Sequence, residues 1–96
     1  MSVLVHIPGY LRDFTGHLTR VSLDEGPRTV REALQELWTR HPGVRDRVMT
    51  ETGEVRLHVN VFVGGESIRW TGGLDTPLPS GAEISIVPAV SGGSRR

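Results

Sequence analysis

One amphipathic helix constrains the fold of this 96-residue chain more than any other feature. Apolar residues recur at positions i, i+3, i+4, i+7 and i+8, which is the spacing of one buried helical stripe: Val30, Ala33, Leu34, Leu37 and Trp38. Thr29 and Glu32 fit a capping box, in which a hydroxyl and a carboxylate satisfy backbone N–H groups at a helix start. His41-Pro42-Gly43 ends the segment, because the residue before a proline avoids the helical region. The sequence therefore predicts a helix over residues 30 to 40 with one apolar face to cover.

The remaining segments predict strands and turns. Alternation of apolar residues indicates strands over 3–7, 17–23, 57–63 and 82–87, and a fifth over 66–70 that follows a hairpin turn at Gly64-Gly65. Leu57 is expected on the same strand face as Val59, Val61 and Val63. Segments 10–16 and 71–81 are predicted as loops, the second anchored by Leu74 and Leu78, and segment 44–54 as irregular surface with at most one short helical turn.

This order of elements leaves one economical partner for the helix, the apolar face of a mixed sheet made from two hairpins. The sequence therefore predicts an α+β fold, a ubiquitin-like β-grasp in which about four to five strands pack on one main helix. In that arrangement the C-terminal strand is central and pairs with the first strand. We expect residues 1–88 to form this domain and residues 89–96 to form a flexible C-terminal tail.

Composition argues against several classes of function. The absence of cysteine excludes disulfides, thiolate metal sites and a cysteine nucleophile, and four dispersed histidines do not suggest a metal site. Eleven basic residues balance eleven acidic ones, so nothing favours a nucleic-acid or anionic-membrane partner. No apolar run approaches the ~20 residues of a membrane span, and the N-terminus lacks a signal-peptide layout, so we expect a cytoplasmic protein.

An enzyme active site is the weakest interpretation of this sequence. The carboxylates show no paired placement that suggests acid–base work. Gly64-Gly65 and Gly72-Gly73 are best explained as turns, because neither pair opens a helix that could bind phosphate. All eleven basic residues are arginine, so no side chain could receive an isopeptide bond, although a compositional bias of the source genome explains this equally well.

The C-terminus carries the most informative motif. After the last strand, Pro88-Ala89-Val90-Ser91-Gly92-Gly93 is followed only by Ser94-Arg95-Arg96. Gly92 and Gly93 have no turn to make there, so the usual structural reason for glycine is weak. Two residues without side chains can instead thread a narrow channel and present a carboxylate to chemistry on another protein.

This C-terminal motif resembles that of the ubiquitin-like sulfur carriers. The family includes the small subunit of molybdopterin synthase, the thiamine-thiazole carrier and the carrier of mycobacterial cysteine synthesis. The last is nearest, because segments 59–63 and 68–74 also resemble its middle region and Ile7-Pro8 the end of its first strand. The similarity spans most of the chain.

The resemblance implies a carrier that is not itself an enzyme and binds no cofactor. An activating enzyme would use ATP to adenylate the Gly93 carboxylate, and sulfur would then replace the adenylate. The thiocarboxylate would deliver sulfide to a biosynthetic partner enzyme, of the cysteine synthase type by similarity, with residues Pro88 to Gly93 threaded into it. Because Ser94-Arg95-Arg96 follow, we expect a zinc-dependent peptidase to cleave between Gly93 and Ser94.

Other functions remain open at this stage. The chain could be a ubiquitin-like modifier conjugated through Gly93 to target lysines, the small subunit of a molybdopterin synthase, or an interaction module with an inert tail. Phe62 and Trp70 alternate out of phase with their apolar neighbours, which makes them a candidate docking face on the exposed side of the sheet. A packing role for both is equally compatible with the sequence.

Overall fold

The computed structural model describes residues 3–24 and 26–88. Its strands are β1 (Val3–His6), β2 (Arg20–Leu23), β3 (Val59–Val63), β4 (Glu66–Ser67) and β5 (Glu83–Pro88). Its α-helices are α1 (Val30–Arg40) and α2 (Pro42–Val48), and 3₁₀ helices span Gly9–Phe14, Ile68–Trp70 and Gly73–Asp75. Within these described ranges, no helix combines the length and apolarity needed to cross a membrane.

The strands form one mixed sheet in the order β2-β1-β5-β3-β4. Strand β5 lies parallel to β1, with Val5 opposite Ile84, and antiparallel to β3, with Val61 opposite Ile86. The two hairpins, β1–β2 and β3–β4, flank this central strand. The predicted α+β class and the central, β1-paired C-terminal strand are both confirmed.

The core lies between one face of the sheet and helix α1. Alternate residues of the strands point into it and are buried: Val3, Val5, Val21, Leu23, Val59, Val61, Ile84 and Ile86. The predicted helical stripe covers them, with Val30, Ala33, Leu34 and Leu37 buried and Trp38 partly buried at its edge. Leu74 and Leu78 pack against this core from the loop before β5, as predicted.

The start of α1 follows the predicted capping pattern with one difference. The Thr29 hydroxyl accepts a hydrogen bond from the Glu32 N–H at 3.2 Å. The Glu32 carboxylate accepts from the N–H of Arg28 at 2.9 Å, one residue before the position that a capping box uses. Both side chains satisfy backbone donors, so the helix begins at Val30.

The Thr29→Ala variant is expected to lower the free energy of unfolding by about 0.5–2 kcal/mol, because it leaves the Glu32 N–H without its cap. Urea denaturation followed by circular dichroism measures this change. Thr39→Ala is the matched control, because the Thr39 hydroxyl only donates back to the Gln35 carbonyl on the exposed helix surface. Equal losses in the two variants would contradict a capping role for Thr29.

Segment 44–54 was predicted as irregular surface with at most one short helical turn around Val44 to Val48, and this prediction was wrong for its first half, which belongs to the seven-residue helix α2. Pro42 does not only end α1; it occupies the first turn of α2, where its missing N–H costs nothing. Val44 and Val48 lie one helical turn apart and are fully buried, and Met49 is buried beside them. This second helix extends the core beyond α1.

Three further predictions need correction. Segment 10–16, expected as a loop, contains a 3₁₀ helix that buries Leu11. Leu57 does not belong to β3, because the Val59 N–H bonds back to the Arg56 carbonyl in a turn, and its side chain is 83% exposed instead of buried with Val59 and Val61. The fourth strand stops at Ser67, whose hydroxyl accepts from the Arg69 N–H and caps a 3₁₀ helix instead.

Candidate functional site

The candidate site lies where the central strand leaves the sheet. Pro88 is the last residue of β5 and pairs with Val59, the first residue of β3. Because β1 runs parallel to β5, β1 ends at this same end of the sheet, and β2 and β3 begin there. We call this the exit end. Among the predicted threading and cleavage residues, Pro88 lies in β5, whereas Ala89, Val90, Ser91, Gly92, Gly93 and Ser94 lie outside the described residues.

The two predicted docking residues share one surface. Phe62 is half-buried on the outer face of the sheet, between Ser67 of β4 and Ser85 of β5. The Trp70 side chain is 84% exposed. Both border a shallow surface depression of about 430 Å³ that Asn60, Ser67 and Arg69 also line. Since Asn60 pairs with Val87, this face adjoins the exit end.

Arginines that the sequence did not single out also lie at the exit end. The Arg69 guanidinium donates weakly to the Leu57 and Val59 carbonyls, at 3.4 and 3.5 Å. The Arg56 Nε donates to the Asp46 carbonyl at 2.9 Å. Both arginines contact the backbone around Val59, the partner of Pro88, although they are 19 and 32 positions away from Pro88 along the chain. Sequence spacing alone carried no signal for them.

One ionisable pair joins the two central strands. His6 Nε2 lies 2.8 Å from the Glu83 carboxylate, which links β1 to the start of β5. Partial burial raises the pKa of the Tyr10 phenol above its ordinary value, so this group is a neutral hydrogen-bond donor at physiological pH. In the part of the chain described, no three His, Asp or Glu side chains cluster as a metal site would require.

A β-grasp domain whose central strand leads directly to a Gly-Gly motif defines the class of ubiquitin-like carriers and modifiers. The sequence model of the ThiS family matches residues 5–93. The chain belongs to the ThiS family of ubiquitin-like sulfur carriers. The resemblance inferred from the C-terminal motif is thereby confirmed.

Similarity to known proteins extends over nearly the whole chain. The sulfur carrier protein CysO of Mycobacterium tuberculosis is 36% identical over 95 residues, which cover 97% of this chain and all of that protein. A chain in the crystal structure of the Amycolatopsis orientalis BexX/CysO complex superposes with a TM-score of 0.83 and 35% identity, covering 95% of this chain and 99% of its own length. Small archaeal modifier protein 1 of Haloferax volcanii is 38% identical over 74 residues, 77% of this chain and 79% of that protein.

Proposed function

We propose that this chain is a sulfur carrier whose working group is the C-terminal carboxylate of Gly93, exposed after removal of Ser94-Arg95-Arg96. One observation carries the proposal: the ThiS family match runs through Gly93 and stops before Ser94. The match thus separates the shared carrier sequence from the three residues that follow it. Similarity to a sulfur carrier protein over 97% of the chain supports the same assignment.

In the proposed chemistry, the Gly93 carboxylate, which is a poor electrophile, is first activated and then charged with sulfur. The Gly93 carboxylate attacks the α-phosphorus of ATP on an activating enzyme, which forms an acyl adenylate and releases pyrophosphate. A sulfide ion then attacks the acyl carbon and expels AMP, which leaves a thiocarboxylate and one proton. On the partner enzyme, the thiocarboxylate sulfur displaces a leaving group from the acceptor. Water hydrolyses the resulting thioester, which frees the sulfur on the acceptor and regenerates the Gly93 carboxylate.

The position of Pro88 supports this use of the tail. The described part of β5 ends there, and five residues, Ala89 to Gly93, follow up to the proposed reactive carboxylate. Five residues span at most ~17 Å when extended, which is enough to enter a buried active site while the domain stays outside. Gly92 and Gly93 keep the end of that segment as narrow as a polypeptide can be.

The composition of the chain is compatible with an activated C-terminus. An acyl adenylate reacts readily with amines and thiols, and the sequence contains neither lysine nor cysteine. No side-chain amine or thiol of one copy can therefore capture the activated Gly93 of another. This favours transfer to sulfide over loss through self-modification.

The proposed partners follow from these steps. They are an activating enzyme that uses ATP, a sulfur-accepting biosynthetic enzyme and a zinc-dependent peptidase that cleaves between Gly93 and Ser94. A CysO of Amycolatopsis orientalis occurs in a complex with BexX, which supports docking of this chain onto a partner of its own. Similarity to the CysO proteins favours an acceptor of the cysteine synthase type.

Intact mass spectrometry tests the carrier proposal. A chain that ends at Gly93 is incubated with a candidate activating enzyme, ATP and sulfide, and we expect a mass gain equal to the replacement of one oxygen by sulfur. The matched control is a chain that ends at Gly92, which keeps the whole described domain but shortens the reach by one residue; we expect at least about a 100-fold lower rate, because misplacing a reacting group by an ångström or more has such an effect. If an enzyme proven active on another carrier leaves the Gly93 chain unchanged, the proposal is wrong.

A ubiquitin-like modifier is the second candidate, because the chain is also 38% identical to a small archaeal modifier protein. The two functions differ in the nucleophile that attacks activated Gly93, which is sulfide for a carrier and a lysine amine for a modifier. The same reaction with a lysine-rich acceptor protein added alongside sulfide distinguishes them. Isopeptide-linked products in the presence of competing sulfide would favour the modifier.

A further inference from the structure

Two prolines stand where the parallel pairing of β1 and β5 stops. Pro88 is the last residue of β5, the central strand, and Pro8 follows the end of β1 by two residues. Proline lacks a backbone N–H, so in sheets it is normally confined to edge strands, strand starts and bulges. A proline in the last position of a central strand is an exception to this rule.

The hydrogen bonds on the two sides of β5 give the direction of each of its backbone groups. The Leu4 N–H donates to the Ala82 carbonyl at 3.0 Å, so the even-numbered residues direct their N–H and C=O groups toward β1. The Gly64 N–H donates to the Glu83 carbonyl at 2.9 Å, so the odd-numbered residues direct theirs toward β3. Both bonds put the backbone groups of Pro88 on the β1 side.

The ladder between β1 and β5 lacks donors beyond Ile86. In the observed register, the His6 N–H faces the Ile84 carbonyl and the Ile86 N–H faces the His6 carbonyl. The next donor would be the N–H of residue 8, to the Ile86 carbonyl, and the one after it the N–H of residue 88, to the carbonyl of residue 8. Both positions are proline, so one donor is missing from each strand in succession.

The missing donors, and not a bend in the chain before either proline, end this pairing. Pro8 has extended backbone angles, with φ −71° and ψ 160°. Pro88 belongs to the strand as well, since it pairs with Val59 of β3. Both residues thus have the course of a strand and lack only the N–H that a parallel ladder requires.

The backbone groups at the end of β1 have partners within the domain. The Pro8 carbonyl accepts from the Leu11 N–H at 3.0 Å in the first turn of the 3₁₀ helix. The Ile7 N–H donates to the Thr19 carbonyl at 2.8 Å, and the Ile7 carbonyl accepts from the Arg12 Nε at 3.2 Å. These bonds satisfy the end of β1 without any contribution from residues beyond Pro88.

We propose that Pro8 and Pro88 are positioning residues that stop the β1–β5 ladder and thereby fix the length of chain that is free to carry Gly93 to the activating enzyme. The inference rests on the proposed function and names a determinant of its reach. An N–H at position 88 would point at the Pro8 carbonyl, which has a second lone pair to accept it.

The free length matters because the reaction needs the Gly93 carboxylate in one place. Each residue held in the sheet removes ~3.4 Å from the extended reach of ~17 Å between Pro88 and Gly93. Misplacing a reacting group by about an ångström is enough to slow a reaction by orders of magnitude. A stop at Pro88 keeps the reach the same in every copy of the chain.

Amide hydrogen exchange followed by NMR tests the stop without any enzyme. In Pro88→Ala, in a chain that ends at Gly93, the new amide at position 88 is expected to bond to the Pro8 carbonyl. It should then exchange at least about tenfold more slowly than the same amide in an unstructured peptide. Exchange at the unstructured rate would overturn the inference, whatever the charging rate.

Charging kinetics test the consequence for the reaction. Pro88→Ala is expected to lower kcat/KM for Gly93 charging by about tenfold or more, because the shortened reach misplaces the carboxylate. One glycine inserted between Val90 and Ser91 restores the lost length, so it should recover most of the rate in the Pro88→Ala chain. Added length would not repair a damaged fold or a lost contact with the enzyme.

Pro79→Ala is the matched control for Pro88→Ala. Pro79 is also exposed, but it lies in the turn before β5, at the opposite end of the sheet. Both variants give the unfolded chain the same extra freedom, so their thermal midpoints should fall by similar amounts. Only Pro88→Ala should change the charging rate.

The outcomes separate this inference from the proposed function. If the unchanged chain ending at Gly93 is charged and Pro88→Ala is charged at the same rate, the inference is wrong and the carrier function stands. If Pro88→Ala is slow and the added glycine does not restore it, Pro88 acts by contact or through folding, and the inference is again overturned. If no enzyme charges the unchanged chain, the carrier function is wrong and the positioning role falls with it.

Discussion

Replacing Ile84 with alanine is expected to lower the free energy of unfolding by about 2–5 kcal/mol, the range for truncating a buried isoleucine to alanine. Ile84 is fully buried on the central strand, where it faces helix α1 and lies between Val5 of β1 and Val63 of β3. A central position offers little room for neighbours to collapse into the cavity. In a domain of this size, such a loss corresponds to a fall in melting temperature of roughly 10–30 °C.

Val87→Ala is the matched control for Ile84→Ala. Val87 lies on the same strand, three residues further on, but its side chain is exposed at the exit end. Its truncation should cost less than about 1 kcal/mol, since surface changes usually stay within half a kilocalorie. Guanidinium unfolding of the unchanged chain, Ile84→Ala and Val87→Ala measures the three free energies of unfolding. Similar midpoints for the two variants would contradict the assignment of β5 as the central element of the core.

The main helix and the strands could be predicted because their periodicities are strong and local. One stripe of apolar residues fixed α1 between the Thr29 cap and the His41-Pro42 stop, and alternation fixed β1, β3 and β5. The topology could be predicted from a packing requirement, because a single helix with one apolar face needs a sheet to cover it. Local patterns and packing requirements agreed there, so the prediction held.

Helix α2 was not predicted because a proline such as Pro42 can either end one helix or begin the next. A proline stops a preceding helix, but its fixed φ and missing N–H also suit the first turn of the next one. Val44 and Val48 are spaced by one helical turn, yet the arginines between them suggested a surface segment. These two valines are buried within the core cluster, against which Phe14 also packs, and local sequence does not reveal such packing.

The candidate site, like the fold, could be predicted from the sequence only in part. The C-terminal motif could be found from sequence because Gly92 and Gly93 stand next to each other near the chain end. The exposed side chain of Leu57 could not be predicted, because the turn that removes it from β3 is not evident in the alternating sequence. Trp70 was singled out by its phase, whereas Leu57 was assigned to the core because it continues the alternation of β3 across a turn that breaks the strand.

A chain of residues 1–96 is expected to form no thiocarboxylate under conditions that charge the chain ending at Gly93. In residues 1–96 the Gly93 carbonyl belongs to a peptide bond with Ser94, so it offers no carboxylate to attack ATP. The terminal carboxylate of such a chain lies three residues further on, beyond the two wide cationic side chains of Arg95 and Arg96. A channel shaped for Gly-Gly excludes those side chains, so the effect of the three residues on charging is all or none.

Intact mass spectrometry of two further chains separates blocked chemistry from a damaged fold. A chain that ends at Ser94 should also fail, because one added residue is enough to remove the Gly93 carboxylate. All three forms should unfold at the same temperature, since β5 ends at Pro88 and the core lies before it. A zinc-dependent peptidase should restore charging of the chain of residues 1–96, and a metal chelator added beforehand should prevent this. Sulfur found on Arg96 would show that Ser94-Arg95-Arg96 is not a block, and the processing step would then have no role.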